Sequence, residues 1–104
     1  MNRAYETDQY LAQIRDIIVQ NLELYAVKVY LFGSRVNESV RTGSDCDVGI
    51  DPLQDLPVGL LSKLREDLEE SNIPYVVELI DLSQVEEEFA QKIREQGLFW
   101  IGFG

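Results

Sequence analysis

Histidine is absent from the sequence, and cysteine occurs only once, as Cys46. Without histidine, serine–histidine and cysteine–histidine hydrolase mechanisms are excluded, as are histidine-ligated metal sites. A single cysteine also excludes an intramolecular disulfide and a cysteine-rich zinc site. No apolar run approaches the roughly 20 residues of a membrane-spanning helix, and no signal-peptide pattern opens the chain. These absences predict a cytoplasmic protein without a membrane segment.

Basic residues are also scarce, with 9 Lys and Arg against 19 Asp and Glu and a formal net charge of -10. Such a balance disfavours direct nucleic-acid binding, which depends on phosphate neutralisation by basic side chains. It is compatible with a metal site or with a basic protein partner. The length of 104 residues and the 45% hydrophobic content predict one globular domain over residues 1–104.

Apolar periodicity predicts three main helices. The first spans about Ala4 to Leu24, and its inward stripe is Leu11, Ile14, Ile18 and Leu22. The second begins near Pro57 and ends near Ser71, with leucines at positions 60, 61, 64 and 68. The third follows a capping box, Ser83 to Glu86, turns Val85, Phe89 and Ile93 inward, and has Gly97 as its C′ residue. A short helix over 35–37 and a loop over 38–43 are also expected.

Three strands separate these helices, at Val27–Phe32, Asp45–Asp51 and Tyr75–Leu82. The apolar tail 98–101 is expected to dock on the core as an edge strand, although it would also suit an interface in a homo- or hetero-oligomer. The pattern predicts a small α/β domain. It leaves the strand order open, because the link between the first two strands could be a hairpin-like excursion or a crossover.

Two aspartates dominate the second strand. Asp45 and Asp47 are two residues apart, so both project from one face with about 7 Å between their Cα atoms. Carboxylates held in this way can share a hard cation such as Mg²⁺. The alternative is a solvated strand face. Cys46 points the other way and is expected to pack in the core.

The first strand leads into Gly33-Ser34-Arg35, and ten residues separate Ser34 from Asp45. Glycine allows a close backbone approach, and amides at the start of a following helix attract phosphate. Arg35 could reach such a phosphate or could be a surface charge. An ordinary serine-capped turn is the alternative interpretation of Gly33-Ser34.

Glu78 is isolated in the apolar third strand. An acid is costly to bury unless it is paired or binds a metal. If this strand lies beside the aspartates, the three carboxylates form a cluster; otherwise Glu78 faces solvent from an edge strand. Asp81, at the end of the strand, is expected to be a turn residue or a helix-flanking charge.

Together, Gly33-Ser34, the ten-residue interval, Asp45-Cys46-Asp47 and the later Glu78 resemble the signature of the DNA polymerase beta-like nucleotidyltransferase superfamily. The sequence is similar in particular to its minimal nucleotidyltransferases (MNT), over about residues 10–101. The resemblance implies a mixed sheet with helices packed on one side. It also implies transfer of a nucleoside monophosphate from an NTP to a hydroxyl group.

By position, the resemblance assigns triphosphate binding to Gly33 and Ser34, with Arg35 beside them. Asp45 and Asp47 would bind Mg²⁺ in a two-metal site, and Glu78 would complete it near the acceptor oxygen. The family usually has aspartate at the third position, and this chain has the longer Glu78.

Short members of this family resemble the antitoxins of two-gene modules whose toxin is a HEPN ribonuclease. The resemblance therefore implies transfer of AMP from ATP to a tyrosine of a cognate HEPN toxin. The alternative is a catalytically weak or inactive binding module that neutralises the toxin by forming a complex. A third hypothesis, transfer to a small molecule such as an antibiotic, is disfavoured because such enzymes generally carry an extra domain.

Overall fold

A four-stranded mixed sheet with three helices packed against it makes up the described part of the chain. The computed structural model describes residues 9–32, 45–74 and 76–103. The elements in chain order are α1 (Gln9–Leu22), β1 (Val27–Phe32), β2 (Asp45–Pro52), α2 (Leu60–Glu70), β3 (Val76–Asp81), α3 (Glu87–Gln96) and β4 (Leu98–Gly102). The predicted α/β fold class is confirmed. The predicted short helix over 35–37 and the loop over 38–43 lie outside the described residues.

The strands lie in the order β3, β2, β1, β4. β1 runs antiparallel to both β2 and β4, whereas β2 and β3 are parallel. The link between β1 and β2 is therefore a hairpin-like excursion and not a crossover. A parallel pair does require a crossover, and α2 lies in the one between β2 and β3. The apolar tail forms β4 at the edge of the sheet, as predicted.

One face of the sheet is covered by α1 and α2, which enclose the larger part of the core. Alternate residues of each strand point to this face, because the side-chain period of a strand is two. Each fully buried Val, Leu or Ile contributes about 1.5–3 kcal/mol, so this layer dominates stability. The predicted stripe of α1 and the predicted burial of Cys46 are confirmed. The buried members are Leu11, Ile14, Ile18, Leu22, Val27, Val29, Leu31, Cys46, Val48, Ile50, Leu64, Leu68, Leu79 and Ile101.

The opposite face carries α3 over a smaller cluster of Tyr30, Leu82, Ala90 and Ile93. In this detail the structure differs from the expectation that the helices pack on one side. The reason lies in β1, where Tyr30 and Phe32 alternate with the residues that point into the larger core. Because β1 is apolar on both faces, both faces need a covering layer.

The capping box predicted for α3 is wrong. The N-cap residue is Glu86, in extended conformation and without a side-chain cap hydrogen bond. Ser83 instead donates from its backbone N and its Oγ to Asp81 Oδ1, at 2.9 and 2.7 Å. An aspartate that accepts from the residue two positions later closes a turn of its own. Of the two roles expected for Asp81, turn residue or helix-flanking charge, the structure shows the turn residue.

Gly97 was predicted as the C′ residue of α3, but in the structure it is the C-cap residue. Its φ of -79° is open to any residue. Its role is steric. A Cβ at this position would lie 2.6 Å from Ile93 O and 3.0 Å from Leu31 O. The absent side chain lets the chain leave the helix and enter β4 directly beside β1.

Helix α2 begins at Leu60, later than the predicted Pro57, after Gly59 with a left-handed φ of 89°. Leu64 and Leu68 are buried as predicted, and Leu60 and Leu61 are half-buried. Within the described ranges, every helix is too short or too polar to cross a membrane.

Candidate active site

The pairing of β2 with β3 determines where the predicted carboxylates lie. Asp47 is directly opposite Glu78 in the parallel register, and Asp45 is opposite Val76. Opposite residues on neighbouring strands project from the same face, about 4.8 Å apart along the hydrogen-bonding direction. The structure therefore brings Asp47 and Glu78 together. Asp45 lies two residues from Asp47 along β2, but its side chain is outside the described part of the structure.

The position of these acids follows from burial on the other side of β2. Cys46, Val48 and Ile50 are fully buried beneath α1 and α2. A shift of one residue in the register would expose all three side chains and bury the acids instead. The hydrophobic core thus fixes which face of the strand carries Asp47.

Accessibility on the acidic face increases toward the start of β2. Asp51 and Gly49 are buried, Asp47 is half-buried, and Glu78 on the neighbouring strand is exposed. Helix α3 causes this gradient by covering the far half of the strand. A Cβ on Gly49 would lie 3.3 Å from Ile93 Cγ2, so the helix packs closely there. The half of the face that carries Asp47 and Glu78 remains accessible to a ligand.

A third aspartate on this face has a structural role. Asp51 is only 8% exposed and accepts hydrogen bonds from Arg94 Nε at 3.0 Å and from Arg94 Nη2 at 3.3 Å. Arg94 Nη1 also donates to Glu87 Oε2 at 2.9 Å. These hydrogen bonds, that to Asp51 first, raise the pKa of Arg94 above its usual value. The ion pair joins α3 to β2 on the face that carries Asp47.

Glu78 differs from Asp51 in its ion pairing. Within the described ranges, no Lys or Arg forms an ion pair with Glu78. Asp51 and Glu78 lie on the same face of the sheet but therefore have different surroundings. Asp51 is held by an arginine, whereas Glu78 lies exposed beside Asp47.

Several predicted site residues lie outside the described part of the chain. They are Gly33, Ser34 and Arg35, which directly follow β1. The described residues contain no group of three or more side chains that could hold a metal. The triphosphate site and the three-carboxylate cluster therefore stay predictions.

Two aromatic residues beside the carboxylates were not predicted as part of the site. Phe32 is opposite Asp47 on the β1 side, so Phe32, Asp47 and Glu78 form one row across three strands. Phe89, predicted to turn inward, is 42% exposed and packs its ring edge-on to Phe32. The residue that could have indicated the exposure of Phe89 is Ala90. It is fully buried, and it turns the inward stripe of α3 away from Phe89.

The other end of the sheet contains an open cleft of about 720 Å³, which we do not assign to the reaction. Leu53, Asp55 and Asp81 are among its lining residues. Some of its polar groups are used within the fold, since Gln54 Oε1 accepts from the Ala26 amide and Asp81 from Ser83. The cleft lies beyond the carboxyl ends of β2 and β3, away from Asp47 and Glu78.

Comparison with known proteins gives consistent results. Residues 12–99 match the model of the "Polymerase beta, Nucleotidyltransferase" family. A curated relative from Haemophilus influenzae, described as a probable protein adenylyltransferase MntA, is 33% identical over 85 residues. That match covers 82% of this chain and 73% of the relative.

Solved structures show the same fold. One is a complex of a tri-AMPylated Shewanella oneidensis HEPN toxin with an MNT antitoxin, with a TM-score of 0.65 and 21% identity; 91% of this chain and 71% of that chain are covered. A second is a toxin–antitoxin structure with AMP-PNP, with a TM-score of 0.67 and 23% identity; 88% and 72% are covered. At these identities the likeness establishes the fold.

Proposed function

The chain belongs to the Polymerase beta nucleotidyltransferase family, and on that premise we propose that it transfers AMP from ATP to a tyrosine of a cognate HEPN toxin. The reaction depends on Mg²⁺, the chain acts as the antitoxin, and residues 1–104 form one nucleotidyltransferase domain. The observation that carries the proposal is the placement of Asp47 directly opposite Glu78 on an accessible part of the sheet.

The relatives support the choice of nucleotide, of a protein as acceptor and of the partner. The Haemophilus influenzae relative is described as a probable protein adenylyltransferase. The Shewanella oneidensis complex contains a HEPN toxin that carries AMP and is bound to an MNT antitoxin. A protein acceptor also suits the structure, because Glu78 is exposed beside the half-buried Asp47.

The residues present fit a divalent cation. Carboxylate oxygens are the ligands that Mg²⁺ prefers in proteins. Two carboxylates directly opposite each other on neighbouring strands can bind the same cation from two sides. We propose that Asp45, Asp47 and Glu78 hold the metal. When bound, Mg²⁺ supplies electrostatic stabilisation of the phosphate oxygens during an in-line displacement.

The protein residues also bind and position the two substrates. Gly33 and Ser34 hold the triphosphate with their backbone amides, and Arg35 neutralises part of its charge. The phenol oxygen of the acceptor attacks the α-phosphorus of ATP, the bond to the β-phosphate oxygen breaks, and pyrophosphate leaves. In addition to holding the metal, Glu78 orients the phenol and accepts its proton.

The longer side chain of Glu78 is compatible with this task. A glutamate reaches farther from its backbone than the aspartate usual in the family. Because Glu78 lies on the edge strand β3 and is exposed, no packed neighbour has to move to make room for it.

The test uses the purified chain, α-labelled ATP, Mg²⁺ and the HEPN protein encoded beside its gene. We expect label on a tyrosine of that protein, and loss of labelling and of neutralisation in Asp45→Asn and Asp47→Asn variants. Asp16→Asn is the matched control, since it removes an exposed charge from α1 on the other face of the sheet by the same isosteric change.

The competing function is a binding module that acts by complex formation alone. The net charge of -10 favours it, since an acidic surface can bind a basic partner without any reaction. Neutralisation by the wild type without nucleotide, retained by Asp47→Asn, would establish that function and refute ours. Labelling of an aminoglycoside in the absence of any protein partner would instead support a small-molecule acceptor.

A further inference from the structure

An aromatic pair lies directly beside the proposed catalytic carboxylates. Phe32, the last residue of β1, is opposite Asp47 in the antiparallel register. Its ring lies on the same face as Asp47 and Glu78; β1 is one strand spacing, about 4.8 Å, from the strand of Asp47 and two spacings from that of Glu78. Phe32 is half-buried, so part of this residue remains accessible.

Phe89 extends this aromatic surface from the helix side. The ring centroids of Phe32 and Phe89 are 6.4 Å apart, with an angle of 84° between their planes. Phe89 remains 42% exposed, because Ala90 and Ile93 already close the contact of α3 with the sheet. The core therefore does not account for a large aromatic side chain at this position.

We propose that Phe32 and Phe89 contact the aromatic ring of the acceptor tyrosine and make this chain selective for a phenol over an aliphatic hydroxyl. This inference rests on the proposed function. A phenol oxygen held at Asp47 and Glu78 brings its own ring within the 4.5–7 Å at which aromatic rings pack edge to face. Serine and threonine have no ring and lose this contact.

The charges around the pair define the sequence context of the tyrosine. Helix α3 starts with the exposed acids Glu87 and Glu88, directly before Phe89, and Glu86 precedes them. Acidic side chains next to an exposed apolar group favour a partner with an apolar centre and basic flanks. Glu87 is already paired with Arg94, so we expect the acceptor tyrosine to have lysine or arginine neighbours that meet Glu86 and Glu88.

Phe99 provides a matched control within the same chain. It is 55% exposed and packs edge-on to Tyr30, with centroids 5.7 Å apart and 63° between the planes. It lies on β4, one strand farther from β2 than Phe32, and its partner Tyr30 is opposite Gly49. It is thus a similar exposed aromatic residue away from the carboxylates.

The experiment compares Phe32→Leu, Phe89→Leu and Phe99→Leu in the full chain, with circular dichroism to verify folding. Acceptors are the HEPN protein encoded beside the gene and a form of it with serine in place of the labelled tyrosine. We expect the first two variants to raise KM for the tyrosine acceptor by about 2- to 12-fold at similar kcat. The preference for tyrosine over serine should fall in parallel, and Phe99→Leu should change neither. Unchanged KM and selectivity in the first two variants, or an equal effect of Phe99→Leu, would overturn the inference and leave the proposed function intact.

A binding measurement separates this inference from the reaction. In an NMR titration, N-acetyl-tyrosinamide should shift the signals of Phe32 and Phe89 more than N-acetyl-leucinamide does. Equal shifts from both compounds, or none, would refute the aromatic contact. If the wild type labels no tyrosine of the HEPN protein, the proposed function fails, and this titration alone decides whether the pair binds a phenol ring.

Discussion

Replacing Arg94 by methionine is expected to destabilise the fold through the aspartate it leaves behind. The side chain of Asp51 is only 12% exposed, and Arg94 donates two hydrogen bonds to it. Methionine keeps much of the apolar length of arginine but removes the charge and every donor. Asp51 would then be a nearly buried carboxylate without its cation.

The size of the effect follows from burial. Leaving a buried charge without its partner costs about 3–5 kcal/mol. Arg94 is itself 27% exposed in its side chain, so water can partly solvate the site after the substitution. We therefore expect a loss of about 2–4 kcal/mol, which lowers Tm by about 10–25 °C in a domain of this size.

Thermal and urea unfolding followed by circular dichroism measure this loss. Lys63→Met is the matched control, because Lys63 Nζ lies 2.9 Å from Asp67 Oδ2 in a pair whose side chains are 64% and 34% exposed. Exposed ion pairs contribute little, so this control should lower Tm by only a few degrees. The two substitutions introduce the same residue and differ mainly in burial.

A double-mutant cycle completes the test. Asp51→Asn removes the buried charge, so Arg94→Met should cost clearly less in that background than in the wild type. If Arg94→Met costs no more than Lys63→Met, or the same with and without Asp51→Asn, then burial of the carboxylate does not determine the effect and the reasoning is wrong.

Three further predictions concern the site and the acid range. Mg²⁺ should raise the Tm of the wild type and of the control Glu66→Gln, but much less that of Glu78→Gln; equal shifts would contradict the metal site. Gly49→Val should cost about 1–3 kcal/mol in urea unfolding, because its methyl groups would overlap Ile93, and an unchanged midpoint would contradict the close packing of α3. Hydrogen bonds from its lysine and then its asparagine partner lower the pKa of Asp67 below the usual 3.8. This group therefore stabilises the fold above that pH and loses its contribution as the pH falls through the lowered pKa. Asp67→Asn should accordingly be less stable than the wild type at neutral pH, and this difference in stability should shrink as the pH is lowered. A difference that does not change with pH would contradict the prediction.

Local patterns predicted most of the elements because each reports burial directly. The stripe of α1 and the alternation of β2 place apolar residues on one side, and the structure buries Ile14, Ile18, Val48 and Ile50 as those patterns require. The face of β2 that carries Asp47 follows from the same alternation. The side of the sheet on which Asp47 lies is thus a consequence of how the core is packed.

Long-range pairing and local competition were less predictable. The strand order depends on contacts between segments far apart in sequence, which no local period encodes. At the start of α3, two acceptable local structures competed for Ser83, and the turn at Asp81 formed instead of the capping box. For Phe89, the 85–89–93 spacing suited an inward stripe, but the buried Ala90 set the rotation of the helix.

Glu78 shows how two interpretations of one residue can both describe the same position. The sequence left it either on an edge strand facing solvent or beside the aspartates as a metal ligand. In the structure β3 is an edge strand and Glu78 is exposed, yet it lies directly opposite Asp47. A carboxylate that must meet a hydroxyl on another protein has to be reachable from outside, so exposure is compatible with the proposed role. The same exposure leaves room for the longer side chain, which a buried site would have to accommodate by moving its neighbours.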